Sequence, residues 1–466
     1  MTGQQSSKKA QGAEVSKLER KVERLEAENE QLREQLRSLE LQLEEYRRKF
    51  FKKNKGKGDE QEQASRVPKK RGAPKGHPGT TRKKPERVDE HVDVRLKQCP
   101  HCGGKKLSRC NRYEDHYQED IVIPRAKVTR FRHHFYYCSD CKQVVHGVGQ
   151  GELPGSYIGP VAKSVAGWLH YQLRIPYRQV RRVFSELVGL SFVPSSCPGF
   201  DRQIRIRGDP IYEKVKSTVS DKPFTHVDET GWRNEGVNHW LWCFASPGAV
   251  VYVIDRSRSS QVVSSVLGKK YNGVLISDFL KAYNPIQSLK QRCLVHLLRL
   301  IKKWQVYFAD DRKRSRYFAE LKQLIKDISA LSEKMSRKMP RNFIERRADL
   351  TARLRRKLNR RLEHPKADRF LRTLEQNIGE LVTCLEFKEV CAHNNWAERL
   401  LRGNVIMRKI TFGNRSDNGI KNHEVIMSLI ETARLNNIDT LPFLHLLLTN
   451  PQAATAALLP ATSSPG

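Results

Sequence analysis

Two aspartates lie at the ends of predicted buried strands, and their type and placement suit metal-ion chemistry. Asp228 follows the run FTHV, and Asp278 follows the run VLIS. Two neighbouring carboxylates without a cation would repel each other and raise the pKa of one, whereas divalent ions neutralise both and hold a phosphate between them. The pair therefore predicts a cation site that acts on a phosphate group.

A third acidic residue, Glu398, lies on a predicted helix with Arg399 and Arg402. Glu398 and Arg402 have the i, i+4 spacing of a helix ion pair, so a purely structural role for this carboxylate stays open. Glu229 directly follows Asp228 on the strand and is expected to point to the opposite face. We therefore favour Asp228 as the ligand.

Other residues near these acids could be mistaken for ligands. Asp255 ends another predicted strand and could compete, although a surface or turn carboxylate is the simpler interpretation. Three histidines adjoin the acidic segments, and a histidine in such a place is more often a hydrogen-bonded core residue or a DNA contact than a metal ligand. We assign no catalytic role to these three, His226, His296 and His393.

The elements that carry the acids predict a mixed α/β sheet. FTHVDETG, NHWLWCFAS and AVVYVIDRS read as three strands with Gly and Pro turns; the helical stretch SSQVVSSVLG and the buried strand VLISD follow. QRCLVH then leads into a helix near Leu294. In such a sheet Asp228 and Asp278 can be neighbours. About a hundred residues, roughly 300–390, are predicted to be helical and to interrupt this core. Leucines recur there at every fourth position, and we expect this row to be the packing seam of the helices: Leu350, Leu354, Leu358 and Leu362.

Two CxxC pairs precede the core, over residues 98–150. The first pair is Cys99 and Cys102, and the second is Cys138 and Cys141, with 35 residues between the pairs. Each CxxC pair can form a tight turn, and two turns supply the four thiolates of a closed tetrahedral zinc site. The strand-like stretches YQEDIVI and KVTRFRHHFYY suit a zinc ribbon. Other residues of this segment could replace one of the four cysteines as a zinc ligand: Cys110, His101, His133, His134 and His146.

Residues 155–220 are predicted to be helical. Pro176 can start a helix whose apolar face is Val180, Val183, Phe184 and Leu187, and Gly189 ends it before a second helix from about Ser195. This order is typical of a helix-turn-helix if Pro198 lies in the first turn of the second helix, and ordinary helical packing is an equal alternative. Arginines available for phosphates are Arg178, Arg181, Arg182 and Arg202. Arg399 and Arg402, beside Glu398, are further candidate DNA contacts.

The N-terminal residues 13–50 carry apolar residues at alternating spacings of three and four, from Val15 to Phe50. This heptad pattern predicts a parallel coiled coil, in which Asn29 would specify a homodimer. Residues 51–97 form a basic linker rich in Gly and Pro. This linker could be a solvated tether or could contact DNA, and both roles stay open. The candidate DNA contacts are Lys69, Lys70, Arg71 and Lys75.

The composition indicates a polyanionic partner. Lys plus Arg exceed Asp plus Glu by 86 to 51, a formal net charge of +35. No apolar run approaches the roughly eighteen residues that cross a bilayer, and the first residues lack a signal-peptide core. We expect a cytoplasmic, nucleoid-associated protein without a membrane partner.

The segments HVDETG, ISDFLKAYN, QRCLVHLLRLI and HNNWAERLLR, in this order, closely resemble the insertion-sequence-66 family of DDE transposases. The resemblance extends to the GAPKGHPG linker, the CxxC pairs and the closing MSLIETARLNNIDTLPFLHLLL. It implies an RNase H-like catalytic domain over residues 221–436, followed by a C-terminal helix and tail over 437–466. The last residues, from Pro451, are expected to be a frayed tail.

By this resemblance, Asp228, Asp278 and Glu398 would bind two Mg²⁺ ions, with Mn²⁺ as a substitute. The implied reaction is hydrolysis that frees the 3′ ends of an element in double-stranded DNA, followed by attack of those ends on target DNA. Accessory transposition proteins are expected. The alternative is a catalytically inactive, domesticated DNA-binding protein that keeps the core only as a scaffold. The expected architecture is a multidomain α+β protein.

Overall fold

A computed structural model of the chain describes residues 24–26, 28, 30, 33–34, 85–108, 114–119 and 124–459. The chain divides into two compact units, Met1–Pro124 and Arg125–Gly466. The described residues between 24 and 34 are helical, and the rest of the predicted coiled coil lies outside the described residues. The same holds for four linker residues with a predicted DNA contact, Lys69, Lys70, Arg71 and Lys75.

The described part of the first unit beyond residue 84 contains turns but no helix or strand. The predicted strand YQEDIVI is therefore not formed over residues 117–119, its described portion. In the second unit, strand β1 (Phe135–Cys138) pairs antiparallel with β2 (Gln143–His146), and Cys138 lies opposite Gln143. Only the end of the predicted strand KVTRFRHHFYY is extended in a sheet, and β2 was not predicted.

Three helices precede the main sheet. They are α1 (Pro160–Gly167), α2 (Tyr177–Val183) and α3 (Cys197–Val219), and π-helical turns extend the first two over Trp168–Gln172 and Phe184–Val188. Gly189 ends the second with a left-handed φ of 72°. Pro198 lies in the first turn of α3, where its missing N–H costs nothing. Leu187 is 44% exposed, so the prediction that it belongs to the buried face is wrong.

Helix α3 is long, and its buried face extends beyond the helical segment. Ile204, Ile211 and Val215 belong to the same hydrophobic core as the main sheet. Gly208 has no room for a side chain, because a Cβ would lie 2.7 Å from a Leu429 methyl group. The second helix of the predicted helix-turn-helix is therefore largely a core helix in this unit.

The main sheet has five strands in the order β5-β4-β3-β6-β7. They are β3 (Phe224–Asn234), β4 (Val237–Ser246), β5 (Ala249–Asp255), β6 (Lys270–Ser277) and β7 (Gln287–Arg292). Strands β3, β4 and β5 are antiparallel, whereas β6 is parallel to both β3 and β7. The predicted mixed sheet is confirmed. The fifth strand, β7, was not predicted, because QSLKQR lacks an apolar alternation.

The remaining helices follow the sheet strands or surround the sheet. They are α4 (Ser260–Leu267), α5 (Leu294–Tyr307), α6 (Arg312–Arg337), α7 (Phe343–Leu358), α8 (Pro365–Gln376), α9 (Gly379–Val382), α10 (Asn395–Thr411), α11 (Asp417–Leu435), α12 (Thr440–Thr449) and α13 (Pro451–Leu458). Helices α6 to α9 form the predicted helical interruption. They share a second core with α5 and β6, and the predicted leucine seam from Leu350 to Leu362 is buried there.

Helix α11 covers the free edge of β5. Glu424, Ser428 and Thr432 accept hydrogen bonds from the backbone N–H groups of Ile254, Tyr252 and Val250, at 2.6, 2.8 and 3.0 Å. The three helix residues are four positions apart, a rise of about 6 Å, and the three strand residues are two positions apart, about 6.8 Å. Because these two spacings nearly match, successive turns of the helix meet successive N–H groups of the strand edge. The side chains of the helix thus satisfy an edge that would otherwise pair with another strand.

The C-terminal segment differs from the predicted frayed tail. Pro451–Leu458 is a helix whose Ala454 and Leu458 are buried in the main core. The Asn450 side chain accepts a hydrogen bond from the Ala453 N–H at 3.0 Å and so caps the helix. The Ala-rich composition of this segment led to the prediction of a tail, but alanine has the highest helix propensity of the amino acids. No helix among the described residues is long and apolar enough to cross a bilayer.

Candidate active site

Strand register brings the two aspartates to one level of the sheet. The parallel pairs of β3 and β6 are Phe224 with Val274 and His226 with Ile276, a constant difference of fifty positions. Asp228 and Asp278 have the same difference, so both lie just beyond the last paired residues. The sheet therefore positions the two carboxylates side by side. Asp278 follows β6 as predicted, whereas Asp228 does not end its strand, because β3 continues to Asn234 in its pairing with β4.

The Asp228 carboxyl group lies in an environment that disfavours its charge. Burial raises its pKa, and the neighbouring carboxylates of Glu229, Asp278 and Glu398 raise it further, to about 8. The three predicted acids from β3, β6 and α10 thus act on one another electrostatically. Such a group is neutral at pH 7 unless a cation compensates its charge.

Glu229 has partners of its own. Its Oε1 accepts hydrogen bonds from the Arg258 guanidinium at 2.6 and 3.0 Å, and its Oε2 accepts one from the Tyr283 hydroxyl at 2.5 Å. Its side chain is only 2% exposed. The Glu229 charge is therefore balanced by Arg258, whereas nothing comparable balances Asp228.

Asn394 connects the strand of Asp228 to the helix of Glu398. It is fully buried, and its Nδ2 donates to the Val227 carbonyl at 2.8 Å. Its backbone carbonyl accepts the Glu398 N–H at 3.2 Å in the first turn of α10. Its Oδ1 must therefore accept the hydrogen bond from His226 Nδ1, at 3.0 Å. Burial lowers the pKa of His226 to about 4, so this histidine is a neutral core residue, consistent with its assignment from the sequence.

Arg292, at the end of β7, holds the loop that carries Asp278. Its guanidinium donates to the Asp278 carbonyl at 2.9 Å, to Asn284 Oδ1 at 2.7 Å and to Glu380 Oε2 at 2.6 Å. The side chain is 6% exposed. Asp278 Oδ1 also accepts the Leu280 N–H at 2.8 Å, which fixes the carboxylate orientation. The sequence indicated no role for Arg292.

Cys293, His296 and Glu398 form the one group of potential metal ligands found in the described part of the chain, with donor atoms within 4.8 Å of one another. Cys293 immediately precedes α5, and His296 lies in its first turn. His296 Nδ1 lies 3.7 Å from Glu398 Oε1, and both atoms are buried without a hydrogen-bond partner. Asp228 and Asp278 do not belong to this group. The proximity of His296 to Glu398 was missed by the sequence analysis.

The helix ion pair that the sequence left open for Glu398 is not formed. The side chain that lies beside the Glu398 carboxylate is that of His296, at 3.7 Å, and Arg399 and Arg402 are exposed. Asp255 accepts the Ser257 N–H at 2.6 Å, as a turn carboxylate does, and it is not among the groups that shift the pKa of Asp228. This agrees with its simpler interpretation.

Two sets of donors could hold a cation here, and both include Glu398. Carboxylate oxygens, the ligands that Mg²⁺ prefers, come from Asp228 and Glu398, whereas the second set adds the Cys293 thiol and the His296 imidazole to Glu398. A cation would lower the pKa of Asp228 and satisfy the buried Glu398 Oε1. Two bound ions could act on the attacking and the leaving oxygen of a phosphodiester.

Each CxxC segment forms a tight turn. In the first, the Cys99 N–H donates to the Gly104 carbonyl and the Gly103 N–H to the Cys99 carbonyl, both at 2.8 Å, and Gly103 has a φ of 72°. Hydrogen bonds from the backbone of Cys102 and His101 lower the pKa of Cys99. In the second, the backbone of Cys141 and Asp140 lowers the pKa of Cys138 in the same way. Both turns favour thiolates, the form that binds metal.

The predicted DNA-contacting arginines of α2 differ in their partners. Arg178 and Arg181 are exposed, whereas Arg182 forms an ion pair with Glu186 at 2.7 Å. Arg202 is exposed on α3. The first two are thus accessible to phosphates without breaking an ion pair.

No curated protein matches this chain. The sequence profile described as "Transposase IS66 family" matches residues 155–422, which is more than half of the chain and contains all three acidic residues. Asp228, Asp278 and Glu398 fall inside this match together with the sheet and helices that position them, and the chain belongs to the IS66 family of transposases.

Proposed function

We propose that this chain is an active DDE transposase whose RNase H-like core cleaves and joins DNA strands at the Asp228, Asp278 and Glu398 site. Family membership indicates a transposition role, with DNA binding and the use of a divalent metal. The finer proposal is supported chiefly by one observation: burial raises the pKa of Asp228, and the neighbouring carboxylates of Glu229, Asp278 and Glu398 raise it further, to about 8.

The residues of the chain contribute positioning and charge. Asn394 holds the start of α10 against β3, and Arg292 orients the loop of Asp278. Bound divalent ions would activate a water or a DNA 3′-hydroxyl and stabilise the leaving oxygen. Cleavage adds water across one P–O bond and frees a 3′-hydroxyl. In joining, that hydroxyl oxygen bonds to a target phosphorus, and the target's own 3′-oxygen leaves. Little covalent work remains for side chains in such a transfer.

Metal dependence tests the proposed function directly. Purified full chain with duplex DNA that carries the element's ends should produce nicked or joined strands in Mg²⁺. Chelation with EDTA should reduce this product to background, and added Mg²⁺ or Mn²⁺ should restore it. The products are measured on a denaturing gel. Equal cleavage with and without EDTA would contradict a metal-based mechanism.

The inactive, domesticated DNA-binding protein remains the alternative. It predicts binding of the same DNA without any metal-dependent product. Since all three acidic positions retain carboxylates, we favour the active enzyme. A homodimer through residues 13–50 and accessory proteins belong to the proposal as well, and analytical ultracentrifugation of the full chain against a chain that starts after residue 50 tests the first.

A structural zinc ion on Cys99, Cys102, Cys138 and Cys141 is also proposed. Purified protein should then contain about one zinc per chain, measured by elemental analysis, because four thiolates complete a tetrahedral site. Cys99→Ser and Cys138→Ser should each lose most of this zinc. Cys391→Ser is the matched control, since Cys391 is an exposed thiol outside both pairs. Zinc retained by both ligand variants would refute the site.

A further inference from the structure

A basic groove lies at the end of α10 that is distant from Glu398. It has a volume of about 790 Å³, and it is bounded by the turn between β3 and β4 and by the residues that end and follow α10. Four cations and one carboxylate line it: Arg233, Arg408, Lys409, Arg415 and Glu235. The sequence analysis assigned no role to any of these residues.

The positive charge of this groove is not compensated. Arg233, Lys409 and Arg415 are exposed, and none of them forms an ion pair with a carboxylate of residues 124–459. Arg408 donates to the Gly231 carbonyl, a neutral partner. Glu235 is the one carboxylate among the residues that line the groove. The groove is therefore suited to an anionic ligand, and its volume of about 790 Å³ leaves room for more than one phosphate.

Phe412, also in the groove, has an unusual backbone and an exposed ring. It ends α10 with a φ of 62° and a ψ of 19°, a left-handed conformation in which glycine or asparagine is usual. The conformation is strained for a bulky side chain, and the ring is 76% exposed, so packing does not offset the strain. A strained residue that the core does not need is a candidate for function.

The segment around Phe412 is held rigidly against β3. The Asn414 N–H donates to the Arg233 carbonyl at 2.8 Å, and the Trp232 indole donates to Asn414 Oδ1 at 2.7 Å. A Cβ on Gly413 would lie 2.2 Å from the Arg233 carbonyl oxygen, so only glycine allows this approach. The exposed ring is thus pre-organised beside Arg233.

The distance from the acids can be counted along two elements. Glu398 and Phe412 are separated by fourteen residues, about 21 Å at 1.5 Å per helical residue. Asp228 and Arg233 are separated by five strand residues, about 17 Å. At about 3.4 Å per nucleotide along one strand, both correspond to roughly five or six nucleotides.

We infer that this groove binds a DNA strand roughly five or six nucleotides from the phosphate at the acidic site, with Phe412 stacked on an unpaired base. The inference rests on the proposed function for the identity of the ligand as DNA. Arg233, Lys409 and Arg415 contact its phosphates. An aromatic ring next to a row of cations is the arrangement that holds single strands without reading their sequence.

Phe412→Gly separates this role from stability. Glycine relieves the strained φ, so the melting temperature should stay equal or rise, while loss of one stacked base should weaken binding about tenfold. Binding is measured in EDTA by fluorescence anisotropy, with a labelled duplex that carries a short single-stranded extension. With a blunt duplex, the loss of affinity caused by Phe412→Gly should be smaller. Unchanged affinity of Phe412→Gly for the extended duplex would overturn the inference, and so would tighter binding of an RNA of the same sequence.

The phosphate contacts have their own test. The triple variant Arg233→Ala, Lys409→Ala and Arg415→Ala should lower the slope of log Kd against log salt by about 2 to 3, because each phosphate contact contributes about 0.7 to 0.9. The control is Lys269→Ala with Lys270→Ala, at the opposite end of β6 from Asp278, which should leave the slope unchanged. Equal slopes for wild type and the triple variant would refute the groove. Because binding is measured without metal, these results do not depend on whether the chain cleaves DNA.

Discussion

Asp278→Ala is expected to reduce Mg²⁺-dependent strand cleavage by at least about 10³-fold while DNA binding is retained. A metal ligand supplies several kcal/mol of charge stabilisation in the transition state, and each 1.36 kcal/mol is tenfold in rate. Asp278 is oriented by the Leu280 N–H and by Arg292, so its carboxylate is set for a ligand role rather than for a solvated one. The rate is measured in single turnover on DNA with element ends.

Asp255→Asn is the matched control for this experiment. Asp255 is the last residue of β5 in the same sheet, but it accepts a turn hydrogen bond from Ser257 and does not contribute to the raised pKa of Asp228. Its amide variant should cleave within a few-fold of wild type. Cleavage that survives Asp278→Ala, or that is lost equally in Asp255→Asn, would rule out the proposed metal site. Intact binding with no cleavage in the wild type itself would instead favour the domesticated protein.

Arg292→Met is expected to lower the free energy of unfolding by about 3 kcal/mol, because it removes three further hydrogen bonds of the buried guanidinium and leaves Glu380 with the longer contact to Lys290, at 3.9 Å. The guanidinium connects four groups from three parts of the chain: the Ser277 hydroxyl, the Asp278 carbonyl, Asn284 and Glu380. Methionine has a similar volume but no donors. The change is measured by urea unfolding of the full chain, followed by tryptophan fluorescence.

Arg347→Met provides the comparison for the buried pair. Arg347 also bonds a glutamate of the helical interruption, Glu386 at 3.0 Å, but both side chains are 42% exposed. An exposed pair contributes about 0 to 1 kcal/mol, so this variant should be nearly as stable as wild type. Equal losses for the two variants would contradict the role of Arg292. Because Arg292 also positions Asp278, its variant should cleave more slowly under conditions in which it remains folded.

The strands that carry the two aspartates to the sheet were predictable because their signals are local. FTHV and VLIS are apolar runs that indicate strands without knowledge of their neighbours, although the extension of β3 to Asn234 was not predicted. The leucine seam was predictable for the same reason, since a spacing of four places side chains on one face of a helix. Strand β7 was missed because its residues are mostly polar and only its last two are buried.

The residues that position the acids were not predictable. Asn394 and Val227 are 167 residues apart, Arg292 and Glu380 are 88 apart, and nothing in either segment indicates the other. Glu398 illustrates the difference: its sequence offers Arg402 four residues away, whereas the fold places His296 beside it. The C-terminal residues were assigned to a tail because their helix is stabilised by burial of Ala454 and Leu458 in a distant core.

The amino-acid sequence by itself determined the family and the mixed sheet, since these depend on residue order and on periods of two and 3.6 that any segment carries alone. Only the tertiary structure decided which charges remain uncompensated. Arg258 pairs with Glu229, whereas no cation is among the groups that shift the pKa of Asp228, and three of the cations in the groove beside Phe412 form no ion pair with a carboxylate of residues 124–459. Charge compensation depends on distance in space, and that distance is set by the packing of elements far apart in the chain.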